Sequence, residues 1–103
     1  MGKALKKINE YKDKDLYVVF YSSMCGYSNA LINFLKEHKI SFKAYDFAGK
    51  QPDFLDIIKE FNDNAKELKF DTNHKTKPVV FFKGKFVGGS DYTISMLSEK
   101  MGL

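Results

Sequence analysis

The chain has 103 residues and is 44% hydrophobic, with ten Phe and six Tyr. That is enough for one core and a single domain over 1–103, too little for two, and too apolar for a disordered chain. The formal net charge of +4 is spread among interleaved Asp and Glu, which argues against a basic face for nucleic acid, and a lone cysteine excludes both an intrachain disulfide framework and a zinc site of several thiolates.

The opening Met1–Ile8 lacks the apolar run of a secretory signal, and no stretch approaches the ~18 apolar residues of a membrane span. Lys6 breaks the myristoylation pattern that Met1-Gly2 begins. No membrane association is expected, and a reducing cytoplasmic setting is the default reading.

Ala4, Leu5, Ile8 and Tyr11 recur at helical spacing, predicting a short helix over 3–12 that Asp13-Lys-Asp15 breaks. Leu16 to Tyr21 is a continuous apolar run, the look of a central strand covered on both faces. A loop of small residues follows and then an amphipathic helix over 28–37, with Leu31, Phe34 and Leu35 on one stripe, ended by His38-Lys39. His38 there reads as a favourable partner for the helix dipole. Cys25 sits where loop becomes helix, so exposed backbone N–H groups favour its thiolate.

Ile40, Phe42 and Ala44 alternate with Ser41 and Lys43, predicting a strand to about Phe47. A turn over Ala48–Pro52 leads into a helix from Pro52 to Phe61 carrying Phe54, Leu55, Ile58 and Phe61. Residues 62–76 are polar and leave two alternatives, a continued helix or a long loop, with His74 solvated. Pro78 to Lys83 and Lys85 to Val87 form a hairpin turned at Gly84, its two lysines a solvated edge. Ser90 or Asp91 caps a last helix whose Ile94, Leu97 and Met101 face inward. The order predicts an α/β fold: a four-stranded mixed sheet with helices on both faces, its first two strands parallel through a right-handed crossover. The junction after Tyr21 lies at a carboxyl end of that sheet, where open α/β folds place ligands.

Four separated pieces resemble one family: Cys25-Gly-Tyr-Ser28, Thr76-Lys-Pro78, Gly84 and Gly88-Gly-Ser-Asp91. Together they are similar to a glutaredoxin, on the three-layer thioredoxin-like fold. The resemblance implies that Cys25 attacks glutathione mixed disulfides, with Ser28 beside it in the catalytic motif. It implies a cis peptide before Pro78, and Lys77 offering its backbone to the cysteinyl part of glutathione. It also implies that Gly89, Ser90 and Asp91 take the γ-glutamyl end, and that Tyr27 flanks the thiol. The expected partners are glutathione, glutathionylated proteins and small disulfides, with the chain monomeric.

Two positions depart from the family pattern. Ser28 stands where a dithiol relative has a second Cys, and Ser22 where many relatives have a Lys that lowers the thiol pKa and holds the glycine carboxylate. The helix terminus alone contributes ~0.3–1 kcal/mol, under one pKa unit, unless Lys75 or Lys77 substitutes. Two further readings follow. In one, two chains and two glutathiones hold a [2Fe–2S] cluster through Cys25, the only metal ligand expected and the only case for a dimer. In the other, Ser28 is an engineered Cys-to-Ser change in a dithiol enzyme.

Overall fold

The computed structural model describes residues 3–24, 26–46 and 54–102. The expectations at Cys25, at Phe47 as a strand end, and at the Ala48–Pro52 turn lie outside the described residues. The elements are α1 (Lys3–Glu10), β1 (Tyr17–Tyr21), α2 (Gly26–Glu37), β2 (Phe42–Asp46), α3 (Phe54–Asp63), α4 (Ala65–Leu68), β3 (Val79–Phe82), β4 (Lys85–Gly88) and α5 (Ser90–Met101). The four strands form one mixed sheet in the order β2-β1-β3-β4. β1 runs parallel to β2 and antiparallel to β3, and β3 pairs antiparallel with β4. This is the expected thioredoxin-like architecture.

Alternation along the two central strands divides the interior. Val18 and Phe20 of β1, with Val79 and Phe81 of β3, face Ala4, Leu5 and Ile8 of α1 and Ile57, Ile58 and Phe61 of α3. Tyr17, Val19 and Val80 face Leu31, Ile32 and Leu35 of α2 and Leu97 of α5. The pairing Val18↔Phe81 and Val19↔Val80 keeps this parity, and a slip by one residue would exchange both faces. Phe20, Phe61 and Phe81 pack at centroid distances of 4.9–5.9 Å, within the range where rings attract beyond their buried area.

Element ends follow local chemistry. Lys39 adopts φ 56° after α2, with Ile40 N–H donating to Leu35 O at 2.9 Å and Lys39 N–H to Lys36 O at 3.2 Å. This Schellman closure satisfies the last carbonyls. The β3–β4 turn is Lys83-Gly84, both at positive φ (51° and 80°), matching the twist of a two-residue hairpin. Residues 62–76 combine the two expected forms, helix as far as Leu68 with a break at Asn64 and loop from there on. α3 stops at Asp63, α4 adds one turn, Lys69 turns left-handed at φ 54°, and Phe70 inserts into the core at 6% exposure.

Two other expectations are corrected. Gly89, not Ser90 or Asp91, is the N-cap of α5, and Ser90 is already helical. Met101 is exposed because the core ends at Leu97, one turn earlier. Lys83 and Lys85 are exposed, as the solvated edge required, and each has a partner there: Lys83 Nζ lies 2.8 Å from Asp15 Oδ1, and Lys85 Nζ donates to Glu67 O. Among the described residues no helix is long and apolar enough to cross a membrane.

Candidate functional site

β1 and β2 run parallel, so their carboxyl ends lie side by side and the loop after β1 is tied to both neighbours. Ser22 is buried at the end of β1, its Oγ accepting the Met24 N–H at 3.3 Å. Ser23 N–H donates to Asp46 Oδ1 on β2 at 3.1 Å, and Ser23 O accepts from Asn29 Nδ2 on α2 at 3.0 Å. Cys25 itself lies outside the described residues. Its neighbours are Met24, 87% exposed, and Gly26, the first residue of α2. Two positions on, Ser28 is fully buried and its Oγ has no partner among the described residues.

A cleft of about 380 Å³ is lined by Tyr27, His74, Thr76, Lys77, Gly89, Ser90, Asp91 and Tyr92. Three elements build it: the first turn of α2, the segment entering β3, and the start of α5. The Lys77-Pro78 peptide is cis, as the resemblance implied, and Pro78 is buried beneath it. Five of the predicted site residues (Tyr27, Lys77, Gly89, Ser90 and Asp91) therefore line one space. Ser28 and Pro78 do not line it. Thr76, from a motif already singled out, does.

The polar groups of this cleft are under-satisfied. Ser90 is 6% exposed, and its Oγ finds no partner among the described residues. The N-cap Gly89 supplies no side-chain acceptor, so the first N–H groups of α5 lack a side-chain cap. An uncapped helix start with an orphaned hydroxyl offers hydrogen-bond donors to a carboxylate. Asp91 stands exposed in the same turn and complements a cationic group. Lys77 Nζ lies 5.1 Å from the Phe54 ring centroid, directed toward α3.

Sequence reasoning missed two cleft residues. His74 was expected in solvent but is half-buried, with its Nε2 3.3 Å from Pro78 O and its ring 5.1 Å from that of Phe86. Tyr92, 60% exposed, forms a wall; its position next to Asp91 was the available signal. Burial pushes the Tyr17 phenol up. Burial first, then a hydrogen bond with Tyr11 and the charges of Tyr11 and Glu10, pushes Tyr45 up to about 12. Neither lines the cleft. Among the described residues no group of three or more His, Cys, Asp or Glu could hold a metal ion.

Residues 17–87 match the family described as Glutaredoxin. The chain is 32% identical over 82 residues to a protein named "Probable glutaredoxin" from Acanthamoeba polyphaga mimivirus, covering 77% of this chain and 74% of that one. It is 33% identical over 97 residues to "Glutaredoxin-related protein 5, mitochondrial" of Danio rerio, covering 88% of this chain. It spans only 56% of that zebrafish protein's length. Among solved structures, wheat glutaredoxin superposes with a TM-score of 0.67 at 29% identity, covering 96% of this chain and 86% of that one.

Proposed function

The chain belongs to the glutaredoxin family, whose members are thiol–disulfide oxidoreductases, and on that premise we propose that it works through glutathione by a monothiol route. The Cys25 thiolate attacks the glutathionyl sulfur of a mixed disulfide R–S–SG. The Cys25–SG disulfide forms, the S–S bond of R–S–SG breaks, and R–S⁻ leaves and takes a proton. A second glutathione thiolate attacks the glutathionyl sulfur of Cys25–SG, releasing glutathione disulfide and restoring the Cys25 thiolate. The exchange balances: one glutathione thiol is consumed, the mixed disulfide is reduced to R–SH, and one glutathione disulfide is formed. No second protein thiol is needed, which suits Ser28.

The observation that supports this most is the unmet polarity of the cleft, where Ser90 Oγ and the uncapped start of α5 suit the γ-glutamyl carboxylate. Asp91 suits its amino group. The backbone of Lys77, held by the cis peptide before Pro78, suits the cysteinyl part as an added strand would. Gly89 keeps the helix start open, Tyr27 flanks the sulfur, and Ser28 donates a hydrogen bond to the thiolate. With Ser22 in place of a Lys, the glycine carboxylate depends on Lys75 or Lys77. The proposed partners are glutathionylated proteins and small disulfides, with the chain acting as a single-domain monomer in a reducing compartment such as the cytosol.

The test is glutathione-dependent reduction of a glutathione mixed disulfide, coupled to glutathione reductase. Turnover is expected in the native chain and to fall by at least ~10³-fold in Cys25→Ser. Absence of turnover with glutathione present would overturn the proposal. Ser28→Cys is expected to add reduction of protein disulfides, the behaviour of a dithiol parent.

A second reading, carriage of a [2Fe–2S] cluster, draws on Gly26: a Cβ added there meets no heavy atom within 4 Å among the described residues, which leaves room for a second copy. One thiol per chain does not fit a cluster alone, so two chains and two glutathiones would supply its ligands. Anaerobic reconstitution that leaves a colourless monomer would remove this reading.

A further inference from the structure

His74 comes from a tight turn in which Asp71 Oδ1 accepts the Asn73 N–H and Asp71 O accepts the His74 N–H, both at 2.9 Å. This turn swings the imidazole against the rings of Phe86 and Phe70, at centroid distances of 5.1 and 6.3 Å. Its Nε2 lies 3.3 Å from Pro78 O. A carbonyl oxygen only accepts, so Nε2 carries the proton and donates. Beside the same ring lies the start of α5: a Cβ added at Gly89 would stand 3.0 Å from His74 Cε1 and 3.6 Å from Pro78 O. One side chain therefore touches both backbone strips of the cleft.

The sheet does not do this job. The β3–β4 ladder pairs nothing beyond Val80 and Gly88, and its register shifts at Val80/Phe81. Beyond that last pair the two strips approach one another at Pro78 O, and the His74 imidazole is packed against both at that point.

We propose that His74 is a positioning residue that sets the distance between the Lys77-Pro78 strip and the Gly89-Ser90 start of α5. It thereby lets one ligand engage both strips together. This rests on the glutathione reading, in which the cysteinyl backbone pairs with the first strip and the γ-glutamyl carboxylate with the second. A ligand bridging two strips is sensitive to their separation, whereas the reactivity of the thiol is not. Loss of the clamp therefore acts on binding rather than on the chemical step.

The experiment titrates S-methylglutathione, which cannot react, into the native chain, His74→Phe and His74→Gln, with steady-state kinetics alongside. His74→Phe keeps the ring packing and loses the donor; His74→Gln keeps a side-chain N–H of similar reach. His74→Phe is expected to bind about three- to tenfold more weakly and to raise KM for the mixed disulfide similarly, with kcat within about twofold. His74→Gln is expected to recover most of the loss. Gly89→Ala is expected to cost more binding in the native background than in His74→Ala, because the added methyl meets the imidazole.

Equal affinity of His74→Phe and the native chain would overturn the inference, as would a fall in kcat alone. If either variant is unfolded at the assay temperature, the Gly89→Ala comparison decides, and additive effects there would likewise overturn it. A native chain that binds no S-methylglutathione would instead defeat the glutathione reading, and this inference with it.

Discussion

The two ends of the sheet carry clefts of nearly equal size, about 380 Å³ beside Pro78 and about 370 Å³ beside the Lys83-Gly84 turn. Volume does not tell them apart; the state of their polar groups does. At the hairpin end Lys83 is paired with Asp15, Lys85 is bonded to Glu67 O, and among the described residues none that lines the cleft carries a buried side-chain N or O atom without a partner. At the other end the buried Ser90 hydroxyl and the start of α5 are left unmet. Under the proposed function, that unmet polarity is what the carboxylate of a bound ligand would satisfy, and the hairpin end offers nothing equivalent.

Both ends hang from the same aromatic core, and the most disruptive change should therefore erase the contrast. Phe81 is fully buried among Phe20, Phe61, Phe70 and Phe86. Phe81→Ala is expected to cost about 3–5 kcal/mol in denaturant unfolding and to damage both clefts alike.

Ser90→Ala sharpens the contrast. It is expected to weaken binding of S-methylglutathione by about three- to tenfold while leaving the melting temperature unchanged or higher, since it removes an orphaned buried hydroxyl. A lower melting temperature with unchanged affinity would mean that Ser90 serves the fold.

Alkaline pH probes the sheet rather than either end. Tyr45 is raised from 10.0 to about 12 in the folded chain. The folded state therefore holds its proton where the unfolded state releases it. The stability this contributes is complete below pH 10 and is lost as pH rises toward 12. Tyr45→Phe is expected to flatten that part of a stability–pH curve.

The smallest effect belongs to the paired end. The Lys83–Asp15 pair is solvent-exposed, and Lys83→Ala is expected to cost no more than about 1 kcal/mol and to leave turnover unchanged. A loss of turnover there would break the comparison outright.

The sheet was legible because each strand announces its surroundings. The unbroken apolar run at Tyr17–Tyr21 is what a strand covered on both faces requires, and Lys83-Gly84 between apolar runs marks a hairpin. The glycine and proline motifs located most of the cleft, since those residues have narrow backbone roles. Residues 62–76 resisted for the opposite reason. No glycine or proline punctuates α4, the break comes from Lys69 in a conformation lysine seldom adopts, and Phe70 is buried outside any repeating stripe. His74 was invisible because its surroundings include Phe86, twelve residues later, and the Pro78 carbonyl, which has no sequence signature.

Lys39, Lys69 and Lys83 are the three described residues other than glycine that hold positive φ. For an L-residue that backbone costs about 1–2 kcal/mol, which glycine does not incur, although glycine returns part of the gain through a freer unfolded chain. None of the three lines the cleft beside Pro78. The chain thus holds an untapped thermostability reserve at its turns, open to protein engineering without any change to the surface where a substrate would sit.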